Sequence, residues 1–200
     1  MRDSAQAKDV KNAILDATDK LLGQFGYKKM TIDDLAKEAG IGKGSVYLHF
    51  SSKEEVALSH IDRIIERLKG RLAAIAAENA PASKRIREML LERVLFRFDS
   101  VQHYTKSLNE LLATIRPKLL ERRKRYFEEE ARAFAAVVRD GVKSGEFAKC
   151  DPLETAQAML TATNSLLPFS LSVKELGERH EIEQKTTTIA EMLLNGIRKK

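Results

Sequence analysis

Apolar residues recur at intervals of three and four along almost the whole chain, and β-branched runs alternating at a period of two do not occur, so the pattern predicts an all-α protein. Val10, Ile14, Leu21, Leu22 and Phe25 share one face of a first helix, which the glycines of Gly23-Gln-Phe-Gly26 are suited to end. Thr31 is suited to cap a second helix, with Asp33 and Asp34 in its first turn and Leu35 and Ala36 inward, and Gly40 stops it after barely two turns. A third short helix is expected at about 43–50. Ser51 or Ser52 then caps a long helix carrying Val56, Ile61, Ile64, Ile65, Leu68, Leu72 and Ile75, which is broken at Asn79-Ala-Pro81. Pro81 opens the next helix, whose apolar residues from Ile86 to Phe98 point in so many directions that it is expected at the centre of the core. Further helices are expected at about 104–114, 117–143, 152–171 and 182–198, with Gly141 and Gly145 ending the longest. There is no internal repeat.

Composition narrows the class. Two hundred residues make one large domain or two small ones, and 43% hydrophobic with 32% charged residues, ten glycines and four prolines describe a globular chain. One cysteine, Cys150, makes no intrachain disulfide and no Cys-rich zinc site, and the four histidines lack ligand spacing, so no cofactor and no metal are expected. Cys150 reads as an exposed loop thiol, His103 and His180 as partly exposed. The first residues, MRDSAQAKDVK, carry charges and no apolar run, which predicts no secretory signal and a cytoplasmic location. Thr155 to Val173 is free of charge, but Thr, Gln, Asn, Ser and Pro are scattered through it, and a membrane span needs about 20 predominantly apolar residues. It reads as helix buried against protein, with a break near Pro168. The net charge of +6 gathers mid-chain in Arg122, Arg123, Lys124 and Arg125, followed by Glu128, Glu129 and Glu130. Spacings of four, such as Glu121 with Arg125, make this a solvated helix surface. No segment gathers a nucleophile beside a base or paired carboxylates, so an enzyme is not expected.

The segment TIDDLAKEAGIGKGSVYLHF, residues 31–50, has helix-turn-helix organisation, with its turn on Gly40-Ile41-Gly42. Leu35, Ile41, Val46 and Phe50 can form its small core, while Ala36 and Ala39 permit close helix approach. The second helix then offers Lys43, Gly44, Ser45, Tyr47 and His49, with Lys53 just beyond: donors for phosphates and base edges, nothing acidic among them, and a glycine that allows close approach. Phosphate-loop motifs fail, because GIGKGS lacks a Ser or Thr directly after Gly-Lys and follows no strand.

Followed by SSKEEV, the segment resembles the DNA-binding domain of the tetracycline-repressor (TetR) family of transcriptional regulators over about residues 8–60. Gly42 departs from the commoner Ser or Thr at the turn. By this resemblance Lys43, Ser45, Tyr47 and His49 fall where the family contacts DNA, Thr31 and Lys53 where it touches phosphates, and Gly44 where a side chain would hinder approach. The resemblance implies an N-terminal three-helix DNA-binding domain at 1–52, then a helical ligand-binding and dimerisation domain at 53–200 that begins with the long linker helix. It also implies a ligand cavity among the middle helices, with Phe96, Gln102, His103, Tyr104, Asn109 and Phe127 as candidate lining.

One short helix reads too little sequence alone, and the charge-free stretch needs burial, so a homodimer on a palindromic double-stranded DNA operator is expected. Leu153, Met159, Leu160 and Leu167, with Ile182, Ile189, Leu193 and Ile197, give stripes suited to a four-helix contact between subunits. The expected function is a ligand-responsive transcriptional regulator, a repressor released by a small apolar or amphipathic effector. The alternative is a helical interaction protein that recruits another protein through its C-terminal region.

Overall fold

A computed structural model describes residues 2–169 and 177–199, without the side chains of 2–6 and 105–108. The described residues form eight α-helices: α1 Arg2–Lys29, α2 Ile32–Glu38, α3 Lys43–His49, α4 Lys53–Ala76, α5 Ala82–Val101, α6 Thr105–Ser144, α7 Pro152–Thr163 and α8 Arg179–Ile197. Among them there is no strand beyond an isolated bridge between Phe147 and Arg198, and no helix is long and apolar enough to cross a membrane.

Several boundaries differ from the sequence expectation. Helix α1 runs straight through Gly23 and is interrupted only at Gly26, whose φ of 76° other residues rarely adopt. Gly23 has another role: a Cβ there would come within 3.0 Å of the His103 ring. Phe25, expected inward, is exposed. The helices expected at 104–114 and 117–143 are one 40-residue helix, α6, with Pro117 inside it. Proline removes a hydrogen bond, but Ala113 and Pro117 both lie on the exposed face, and Ile115 and Leu119 are buried on the opposite side. Helix α7 ends at Thr163, a 3-10 turn covers Asn164–Leu166, and Pro168 follows in a turn; the remainder of the expected helix, at 170–171, lies outside the described residues.

The chain divides into two compact units, the first containing residues up to Ile64 with Gln102–Leu120, the second Ile65–Val101 with the residues from Glu121 on. In the first, Ile14, Leu22, Met30, Leu35, Val46, Val56, Leu58, Leu111 and Ile115 are buried. In the second, α8 packs along α5 and α7 touches both, enclosing Leu68, Leu72, Ile86, Met89, Phe134, Val138, Phe147, Met159 and Leu194. Asp151 caps α7 by accepting from the Glu154 amide at 2.8 Å, with Pro152 in the first turn. Cys150 is half-buried against this core rather than exposed in a loop.

The charged run at 122–130 is not a wholly solvated surface. Glu130 turns inward and is 2% exposed. Its carboxylate accepts from Arg93 Nε at 2.8 Å and pairs with Arg97, and both arginines are buried on α5. Arg93 also donates to Thr163 Oγ1 at 2.8 Å and Asn164 Oδ1 at 2.7 Å, so one polar network ties α5, α6 and the end of α7.

Candidate nucleic-acid interface

Local chemistry builds the helix-turn-helix. Thr31 and Asp34 form a reciprocal cap: the Asp34 amide donates to Thr31 Oγ1 at 3.1 Å and the Thr31 amide to Asp34 Oδ2 at 3.0 Å. That carboxyl is held below its usual range by the side-chain hydrogen bond from Thr31 and then by the backbone bond. Gly40, at φ 68°, lets the chain reverse so that the Ile41 amide donates to the Ala36 carbonyl at 2.9 Å. Gly42 precedes α3 without any side-chain cap, which is the consequence of having glycine where Ser or Thr can accept. Val46 (0% exposed) and, just after α3, Phe50 (2%) are buried, as are Leu35 and Ala36 of α2, the helix against which α3 packs.

A helix advances about 100° per residue, so an inward Val46 sets the outward face. Gly44 and Leu48 lie opposite it, Ser45 and Tyr47 to either side, and Lys43 and His49 further back. Tyr47 is 51% exposed and Leu48 84%. Nothing lies within 4 Å of a Cβ built on Gly44, so its surface is open. Lys43 Nζ pairs with Asp33 Oδ2 at 2.8 Å; that hydrogen bond, and then the charge of Asp33, raises the Lys43 pKa. This acidic neighbour from α2 corrects the expectation that nothing acidic is presented here, although the pair is exposed and such pairs are weak enough for phosphate to displace. His49 is half-buried, its ring tilted against Phe50.

Two candidate phosphate contacts have partners within the chain. The Thr31 hydroxyl belongs to the cap of α2, donating to Asp34 Oδ2 at 2.7 Å. Lys53 Nζ donates to the carbonyls of Tyr27, Lys28 and Met30 at 3.1, 3.3 and 3.1 Å and lies 4.5 Å from the Tyr27 ring centre, so it closes the C-terminal end of α1. Leu48 is not among the sequence candidates; its position two residues after Val46 and four after Gly44 is the signal that identifies its face.

The candidate effector residues divide between the units. Gln102, His103, Tyr104 and Asn109 belong to the first. Tyr104 is buried, edge-on to His60 and His103, and burial, with the charge of Asp19, raises its hydroxyl pKa. Asp19 Oδ1 lies 3.3 Å from His60 Nε2 and 3.2 Å from His103 Nε2. Burial pushes the Asp19 carboxyl up, but His60 and His103 together hold it below the usual range. His103 and Tyr104 are thus joined to α1 and α4 by ring packing and by the contact of His103 with Asp19. Phe96 and Phe127 belong to the second unit and both pack against its core. Phe96 also lines an open groove of about 560 Å³ with Ile75, Leu91 and Leu95 and with the charged residues Arg71, Glu88, Glu92, Asp99 and Arg179, of which Arg71 pairs with Glu92 and Arg179 with Asp99.

Of the candidate interface residues, Met159, Leu160, Leu167 and Ile182 are at most 1% exposed in the single chain. They fill its own core and offer no surface to a partner. Leu153 is exposed, and Ile189, Leu193 and Ile197 are half-exposed on α8. Met192, 70% exposed on the same helix, is an addition.

The sequence profile of bacterial regulatory proteins of the tetR family matches residues 14–59, and that of the tetracyclin repressor-like C-terminal domain matches residues 82–190. The HTH-type transcriptional regulator YhgD of Bacillus subtilis is 29% identical over 76% of this chain and 79% of its own length. The fatty acid metabolism regulator protein of the same organism is 21% identical over 94% and 95%. A transcriptional regulator from Cytophaga hutchinsonii superposes with a TM-score of 0.77 at 19% identity, covering 93% of this chain and 97% of that one.

Proposed function

The chain belongs to the tetR family of bacterial regulatory proteins and is a DNA-binding transcriptional regulator, and we propose that it is a repressor whose α3 enters the major groove of a palindromic operator. The observation that carries the reading is the geometry of α3, with Val46 inward, Gly44, Tyr47 and Leu48 exposed, and open space around the Gly44 Cβ position. Residues 1–52 supply DNA reading in this proposal, and 53–200 supply effector binding and dimerisation.

Tyr47→Ala combined with Lys43→Ala is expected to weaken operator binding by about 30-fold or more, since each base or phosphate contact contributes about 1–3 kcal/mol. Circular dichroism stays unchanged, because neither side chain is buried. Retained operator affinity would sink the assignment of α3. Lys53→Ala acts differently. With three carbonyls losing a charged donor, it lowers stability by about 1–3 kcal/mol and leaves the salt dependence of binding alone. A salt slope reduced by about one unit would make Lys53 a phosphate contact instead.

The partner in the proposed homodimer meets Leu153, Ile189, Met192, Leu193 and Ile197. Light scattering at micromolar concentration should give twice the 22.5 kDa chain mass; a monomer would remove both the interface and the palindrome. The proposed effector is small and apolar or amphipathic; its candidate contacts are Phe96 and Phe127 in the second unit and, separately, Gln102, His103, Tyr104 and Asn109 in the first. Phe96 and its groove favour an entry on the α4–α5 side, where about 560 Å³ is a volume suited to a small molecule. Linkage requires the operator to weaken effector binding by the factor by which the effector weakens operator binding, typically about 5- to 150-fold. Equal effector affinities with and without operator would refute the coupling.

A further inference from the structure

Among the described residues, no other large apolar side chain is as exposed as Leu48, at 84%. A lone surface leucine ordinarily needs no explanation, but the position of this one does. It stands opposite the buried Val46 and one turn after Gly44, on the leading ridge of α3, where the helix comes nearest to whatever it meets. The polar residues Lys43, paired with Asp33 at the surface, and His49, half-buried beside Phe50, stand further back. When that ridge enters a major groove, Leu48 is the foremost side chain.

The groove edges offer donors and acceptors, whose desolvation against a leucine is unfavourable, and one apolar group, the C5-methyl of thymine. From this we infer that Leu48 is a specificity-determining residue that packs on a thymine methyl in each half-site. The inference rests on the proposed role of α3. It assigns Leu48 a base-reading role, distinct from the donors beside it, and predicts a thymine at a fixed position in both arms of the operator. Gly44 fits the same geometry, since a side chain there would hold the ridge away from the base edge.

The experiment starts from operator sequences selected from random duplexes with the full-length protein. Each thymine of a half-site is then replaced by deoxyuridine, which lacks only the methyl group, and affinity is measured for the wild type and Leu48→Ala. At one thymine per half-site the wild type should lose about 4-fold, or about 15-fold when both arms are changed, as burial of one methyl-sized group implies. Leu48→Ala should bind the thymine and deoxyuridine duplexes equally. Leu48→Gln, whose amide can pair with adenine N6 and N7, should shift the preference at that position from thymine to adenine. Equal deoxyuridine effects in wild type and Leu48→Ala at every thymine, or selected operators without a fixed thymine, would overturn the role of Leu48 while leaving α3 as the reading helix. Failure of the wild type to select any sequence would overturn both readings.

Discussion

Glu130→Gln should destabilise the protein by about 3–5 kcal/mol, a fall in Tm on the order of 10 °C. The substitution keeps the shape of the side chain and removes its charge, leaving the buried Arg93 and Arg97 guanidinium groups with no anion between them. Burial lowers the Arg93 pKa to about 10, against the pull of Glu130, so the group is still charged at neutral pH. Burial likewise pushes the Glu130 carboxyl up, but the charges of Arg97 and Arg93 and their hydrogen bonds outweigh it and hold the carboxyl below the usual range. A depressed carboxyl contributes stability above its unfolded pKa of about 4.3 and loses it as pH falls through the folded value. The deficit of Glu130→Gln should therefore be full at pH 7 and shrink below about pH 4. Melting curves at the two pH values test this; a variant that melts with the wild type at pH 7 would mean that the network contributes nothing to stability.

This network also marks how far the sequence was legible. The helix-turn-helix could be read because its determinants are local: a cap three residues from its partner, a glycine at the turn, and Leu35, Val46 and Phe50 at helical spacing. Glu130 could not, because it ends a run of charges that describes a wetted surface equally well, and its partners lie 37 and 33 positions away. Pro117 misled for a related reason. Proline is a local stop signal, whereas α6 continues through it because Leu111, Ile115 and Leu119 are buried along one face. The stripes of α7 and α8 were recognised as apolar, but a stripe facing the chain's own core and one facing a second copy have the same period. Burial divided them: Ile182 went inside and Met192 stayed out. Lys53 reads as a phosphate contact; its bonds to three carbonyls at the end of α1, 23 to 26 positions away, leave no local pattern in the sequence.

Gly141→Ala should lower stability by about 3 kcal/mol, at the upper end of what overpacking a core costs. Gly141 lies in α6 and is buried, and a Cβ there would overlap the Phe147 ring and come within 2.9 Å of the Ala82 Cβ. Neither neighbour can yield cheaply. Phe147 is 2% exposed, its amide donates to the Gly141 carbonyl at 3.0 Å, and the flanking backbone is tied to the end of α8 by the Ala148 amide on the Ile197 carbonyl at 2.8 Å. Ala82 begins α5, and its amide and that of Ser83 donate to the Glu146 carboxylate at 2.7 and 2.9 Å, so the residue next to Phe147 caps the helix that Ala82 opens. One methyl group thus strains a corner where α5, α6 and α8 meet. Gly196 in α8 is the control: nothing lies within 4 Å of its Cβ position, and Gly196→Ala should be neutral or add up to about 1 kcal/mol through helix propensity alone. Thermal melts of the two variants should move in opposite directions or differ by at least about 5 °C, and Phe147→Leu should recover part of the Gly141→Ala loss by making room. Equal melting temperatures for the two alanine variants would show that the corner relaxes around a side chain.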